Sequence, residues 1–175
     1  MKNALKAALA AAIAGSSLFA ATAALGSNVS ATSDSARPAA GTIHVYIANT
    51  STSASAPNKI LITGAFSDHG IGKKGTFHLT RGTITANPSK LKAETNSPKF
   101  GTFYSASCSF TGVATGIVPI VSGTGAYAGI TGSLTVTETV AEQGSLLKNG
   151  KCNTSNNAPA VAQDLFIAAS GKVSF

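Results

Sequence analysis

Apolar and polar residues alternate in short runs along most of this chain, and a period of two marks strands with one buried face. Thr42 to Ala48 sets Ile43, Val45 and Ile47 against His44 and Tyr46. Lys59 to Phe66 is apolar on both faces near its start, which suits a central strand. Thr76 to Thr80 turns Phe77 and Leu79 to one side, and Gly82 to Thr85 continues past a bend. Phe100 to Thr111 reads as one strand with Tyr104, Ala106, Cys108 and Phe110 on a common face. Val113 to Val121 follows, with Pro119 marking an edge, a bulge or a strand end. Ser133 to Ala141 is the clearest alternation, with Leu134, Val136, Glu138 and Val140 against Thr135, Thr137 and Thr139. Val161 to Ala168 and Lys172 to Phe175 close the chain.

Asn49 to Asn58, Ser67 to Gly75, Asn87 to Lys99 and Glu142 to Pro159 read as loops, the third with one helical turn. No long amphipathic helix follows the first residues. The stretch Gly123-Thr124-Gly125-Ala126-Tyr127-Ala128-Gly129-Ile130-Thr131-Gly132 carries four glycines in ten positions. Glycine costs a helix about 1 kcal/mol relative to alanine, so the stretch predicts a tight turn feeding the strand after it. The class is therefore all-β, a barrel or a sandwich.

That glycine stretch resembles the G-T-G-x-[YF]-x-G-x-x-G hairpin of the allene oxide cyclase and dirigent barrel superfamily. The C-terminal half, through Lys151-Cys152-Asn153 and the ending Gly171 to Phe175, is similar to small secreted bacterial proteins with an allene-oxide-cyclase-like barrel. The resemblance implies a closed antiparallel barrel of about eight strands around a lumen for an apolar substrate. Only Gly123, Gly125, Tyr127, Gly129 and Gly132 carry over, in a structural role. It implies no cofactor. A shared barrel does not bring its chemistry with it.

The N-terminus changes the picture of where the fold begins. Lys2 and Lys6 precede an apolar, alanine-rich run from Ala7 to Leu25, with small residues for cleavage near Ala23 or Ala31. Residues 1–31 read as an export signal with the start of a leader, 32–41 as a disordered leader, and 42–175 as the domain. The expected location is extracellular, with no membrane span once the signal is removed. Of the net charge of +7, residues 1–31 hold Lys2 and Lys6 and no acid, leaving +5. The cations are scattered in sequence and form no stripe of the kind nucleic acids require. Cys108 and Cys152 are the two cysteines, and in an exported chain they predict a disulfide.

Candidate chemistry centres on Glu138, in register with the apolar face of its strand. Buried, it would be desolvated and serve as a general acid or ligand anchor; at the barrel mouth it would be solvated. Tyr104, Phe110, Leu134 and Val136 are the expected lumen lining. His44, Tyr46 and His78 point away from the apolar stripes, without metal-ligand spacing. Asp68-His69 reads as turn chemistry, and Asn49-Thr50-Ser51 and Asn153-Thr154-Ser155 are glycosylation sequons. Ser145-Leu146-Leu147-Lys148 matches S-x-x-K without its companion motifs. Three functions stay open: binding a small apolar ligand or serving as a secreted module, isomerisation of an apolar substrate in the lumen, and protein binding on the outer face.

Overall fold

The alternating runs become strands that pair antiparallel around a ring. The computed structural model describes residues 38–175 except 54–55, 90, 92–99 and 156–157, so the expected signal and most of the leader lie outside the described residues. The strands are β1 (Gly41–Asn49), β2 (Asn58–Gly64), β3 (Asp68–Lys73), β4 (Thr76–Leu79), β5 (Gly82–Ala86), β6 (Gly101–Tyr104), β7 (Ser109–Gly125), β8 (Thr131–Gly144) and β9 (Ala160–Ser174). Their order is β5-β4-β3-β2-β1-β9-β8-β7-β6, and β5 also pairs with β7. That extra pairing closes eight strands into an antiparallel barrel, with β6 folded back on the first part of β7.

Register puts the apolar half of each alternation inside. Gly116, Val136, Ala169, Val45, Ile62 and Asp68 are successive cross-strand partners from β7 to β3. The enclosed branched and aromatic side chains form one continuous core, and each fully buried one contributes about 2 kcal/mol. β7 keeps small residues inside, and the segment after β5 fills the space they leave. A Cβ on Gly112 would come within 2.9 Å of the Phe100 ring, and one on Gly116 within 3.5 Å of Leu91. Leu91 and Phe100 are accordingly both buried.

Three features differ from the sequence reading. Phe100 to Thr111 is a hairpin, because Ser105 to Cys108 forms a turn between β6 and β7. Residues Asp68 to Lys73, expected in a loop, form β3. Glycine hid that strand: a Cβ on Gly70 would lie 1.9 Å from the His78 carbonyl oxygen, so the tight β3–β4 contact requires the residue that strand patterns lack. The two closing runs are one strand, β9. Pro119 sits where β5 leaves β7, one residue past the Ala86–Ile120 pair. Its carbonyl accepts from Asn87 N at 2.9 Å. A strand residue's N–H and C=O face the same neighbour, so the donor that proline lacks falls on the side β5 has left and the β8 ladder stays whole.

The glycine hairpin caps one end of the barrel. Gly125 turns at φ 61°, with Arg81 O only 2.5 Å from where a Cβ would stand. Ala126 N then donates to Arg81 O at 2.9 Å, and Ile130 N to Tyr127 O at 3.1 Å. The turn drives Tyr127 inward until it is 0% exposed. Its ring lies 5.3 Å from that of Phe66, and the Phe66 ring lies 6.2 Å from that of Phe175. Its hydroxyl donates to Asp68. Asp68 also accepts from Thr80 Oγ1 at 2.5 Å, His69 N at 2.7 Å and Thr80 N at 3.2 Å, with Arg81 Nε 3.7 Å away. The sequence reading of Asp68 as turn chemistry misses this buried role.

The opposite end carries a strap. Cys108 and Cys152 form the expected disulfide, their Cα atoms 5.4 Å apart. It ties the loop after β8 to the β6–β7 turn, and Gly144 N donates to Cys108 O at 2.7 Å.

Two outcomes follow. Replacing both cysteines by alanine opens a loop of 44 residues and should lower unfolding free energy by about 4 kcal/mol in denaturant titration. Burial works to raise the Asp68 pKa, but the hydrogen bonds from Thr80, Tyr127 and His69 overcome it and hold Asp68 at about 2. A depressed carboxyl pKa stabilises above its unfolded value and is lost as pH falls through the folded one. The protein should lose about 2.5 kcal/mol progressively between about pH 5 and about pH 1, and Asp68→Asn should flatten that part of a melting-temperature profile.

Candidate functional site

At the strap end the inner face of the barrel turns polar. β8 directs Leu134, Val136, Glu138, Val140 and Glu142 inward in sequence, the carboxylates half-buried among buried aliphatics. Phe110, Glu142 and Gln163 are cross-strand partners on β7, β8 and β9. Ala114, Glu138 and Ile167 form the parallel row two pairs deeper. Asn49 of β1 faces the same end beside Leu165; its amide donates to Asn58 Oδ1 at 2.5 Å and accepts from Ser51 N at 3.0 Å.

Gln163 differs from Asn49 in having no answer. It is 5% exposed, and neither its Nε2 nor its Oε1 has a hydrogen-bond partner. Ser145 Oγ, where the strap leaves β8, is the other buried side-chain oxygen without one among the described residues. Buried polar atoms in native folds are nearly always paired, and leaving one unmade costs about 1–3 kcal/mol. All the unpaired atoms lie at one end.

Burial raises the pKa of Glu138, and likewise that of Glu142. Among the described residues no salt bridge reaches either carboxyl. The wall therefore offers two carboxyls whose pKa burial raises, beside an amide that both donates and accepts. Phe110, Val140, Leu165 and Ile167 supply apolar surface around them. No group of three His, Cys, Asp or Glu side chains suited to a metal occurs among the described residues.

The structure sorts the residues expected from the sequence. Phe110, Leu134 and Val136 are buried and inward, and Glu138 shares their face. Tyr104 does not. Register pairs Phe103 with Phe110, so Tyr104 falls on the opposite side and is 49% exposed. The intervening turn breaks the alternation that placed Tyr104 in the lumen. Leu134 and Val136 belong to the packed core, with Val136 opposite Gly116, against which Leu91 packs. Gly123, Gly125, Tyr127, Gly129 and Gly132 build the cap. His44 on β1 and His78 on β4 are separated by β2 and β3, so they do not gather. Asn49 is 3% exposed with its amide engaged, which removes it as a glycan acceptor.

Glu142, Gln163 and Ser145 were missed. Ending the strand at Ala141 left Glu142 in a loop, although it continues the inward series of Glu138 and Val140. Gln163 was legible too, sharing the face of Leu165 and Ile167. Among the described residues no helix is long and apolar enough to cross a membrane.

Comparison with models of protein families, with curated proteins and with solved structures finds no match to this chain.

The two half-buried glutamates titrate against the fold. An acid with a raised folded pKa binds more protons folded than unfolded, so stability falls as pH rises above the ordinary carboxylate range. Glu138→Gln should raise the melting temperature at neutral pH and leave it nearly unchanged near pH 4, as read by calorimetry across pH.

Proposed function

We propose that the barrel binds a small, mainly apolar molecule whose one polar end is held at the strap end by Gln163, Glu142 and Glu138. The unpaired amide of Gln163 carries this reading, because a ligand group that both donates and accepts would satisfy it while the apolar wall takes the rest. Two carboxyls on one wall disfavour an anionic head and leave a neutral one such as an alcohol or amide. The disulfide supports an oxidising, extracytoplasmic location, in keeping with the export signal read in residues 1–31. The resemblance of the hairpin to the allene oxide cyclase and dirigent superfamily agrees with a ligand-holding barrel.

A second reading is a cyclase-like isomerase, favoured by the raised Glu138 carboxyl within hydrocarbon surroundings. There Glu138 would donate a proton to a bound apolar substrate. The two readings part at turnover: a binding protein shows none with any molecule it holds, whereas an isomerase converts its substrate and loses that turnover in Glu138→Gln.

Native mass spectrometry of the full chain, as purified and after exposure to decanol and decanamide, tests the binding reading. Bound adducts are expected in the wild type and should be lost in Gln163→Leu. The same variant should be more stable without ligand by about 1–3 kcal/mol, since it removes the orphaned amide. A Gln163→Leu protein that is less stable and still carries adducts would refute the site.

A further inference from the structure

The strap end is ringed by exposed apolar side chains and lysines. Phe103 and Tyr104 of β6, Leu146 and Leu147 of the strap, and Val161 at the start of β9 are all substantially exposed. The disulfide holds them together. Leu146 forms a backbone bridge with Cys152, whose Sγ lies 3.0 Å from the carbonyl oxygen of Ser105, next to Tyr104. Lys148 and Lys151 are exposed on the same strap, whose turn is closed by Leu147 N to Lys151 O at 2.8 Å and Gly150 N to Leu147 O at 2.9 Å. Lys59, at the start of β2, and Lys73 and Lys74, at the β3–β4 turn, stand at this end as well. At the hairpin end the described cations are Arg81, which is paired with Asp68, and Lys172.

The described acids exposed on the outside are fewer than these cations. Among the described residues Asp68 is sealed beneath Tyr127, Glu138 and Glu142 face inward, and Asp164 of β9 is the one acid exposed on the outside. Five of the six described lysines, scattered in the sequence, are thus collected by the topology at this end.

We propose that this rim docks on the surface of an anionic lipid bilayer, with Leu146, Leu147, Phe103 and Tyr104 entering the headgroup and acyl boundary and Lys148 and Lys151 on the lipid phosphates. Amphipathic surfaces of this composition lie in the membrane interface, where aromatic rings are favoured and basic side chains meet anionic headgroups. The apolar side chains distinguish a bilayer from a soluble polyanion, which would engage the lysines alone. This inference stands apart from ligand binding, because it uses exposed side chains of the rim and none of Gln163, Glu142 and Glu138.

Sedimentation of the full chain with vesicles of phosphatidylglycerol and phosphatidylcholine, and with vesicles of phosphatidylcholine alone, tests it. Every variant carries the same N-terminal residues, so differences report the rim. The wild type should bind the anionic vesicles and be released by salt. Lys148→Gln with Lys151→Gln should weaken binding about 30-fold, and Lys172→Gln at the far end should change it by less than about twofold. Leu147→Ser with Tyr104→Ser should also release the protein; if the hairpin is disturbed, Leu147→Ser alone carries that arm. Undiminished binding in the Lys148→Gln, Lys151→Gln variant, or equal loss in Lys172→Gln, overturns the proposal. So does a lysine effect without an apolar one, which would mark a polyanion site.

Discussion

Closure is the constraint on which this molecule depends. β5 covers only the second part of β7, with its pairing running from Gly82–Gly125 to Ala86–Ile120. Without that short ladder the sheet would be open, with two unpaired edges and an apolar face toward water. With it, every inward position looks into an enclosed space that side chains must fill. The large residues of β1, β2 and β8 therefore stand opposite the small inner residues of β7, and the segment after β5 brings in Leu91 and Phe100 to complete the packing. β6 then covers the start of β7, from Ser109 to Gly112.

The two ends solve the problem of a barrel mouth differently. At the hairpin end the backbone folds over the opening, and Tyr127 is held by a carboxylate that is itself saturated with donors. Burial, and then the bond to Asp68, push the tyrosine pKa upward, so the cap keeps its proton throughout the ordinary pH range. At the strap end the closure is covalent and peripheral, through Cys108 and Cys152, and the inner face beneath keeps polar groups without partners. One end places its acid in a finished hydrogen-bond network. The other places two acids in hydrocarbon without one, and their pKa values move in the opposite direction from that of Asp68. Satisfied hydrogen bonds are concentrated at the first end and unspent polarity at the second.

Much of this was legible where strands alternate strictly. β1 and β8 read correctly because each has one wet and one dry face, which a period of two records directly. Glu138 was placed on the inner face by the same pattern. The failures occur where the pattern is carried by backbone. β3 contains Gly70 and Gly72, whose value lies in close approach rather than in hydrophobicity, so no alternation announced it. The Ser105 to Cys108 turn lacks glycine and proline, and Cys108 adopts a positive φ of 52° without either; Tyr104 was consequently assigned to the wrong side. Asp68 looked like a turn residue because its partners, Thr80, Arg81 and Tyr127, stand 12, 13 and 59 positions away.

The sequence by itself determined the class of fold, the disulfide pair, the turn at the glycine stretch and the inward parity of Glu138, since these depend on composition and on neighbours a few residues apart. Tertiary structure alone decided that the sheet closes through β5 and β7, that Gln163 has no partner, and that five of the described lysines stand at one end. Those facts depend on which strands become neighbours and at what stagger. Such choices are made by the packing of the whole interior, and no local stretch of chain contains them.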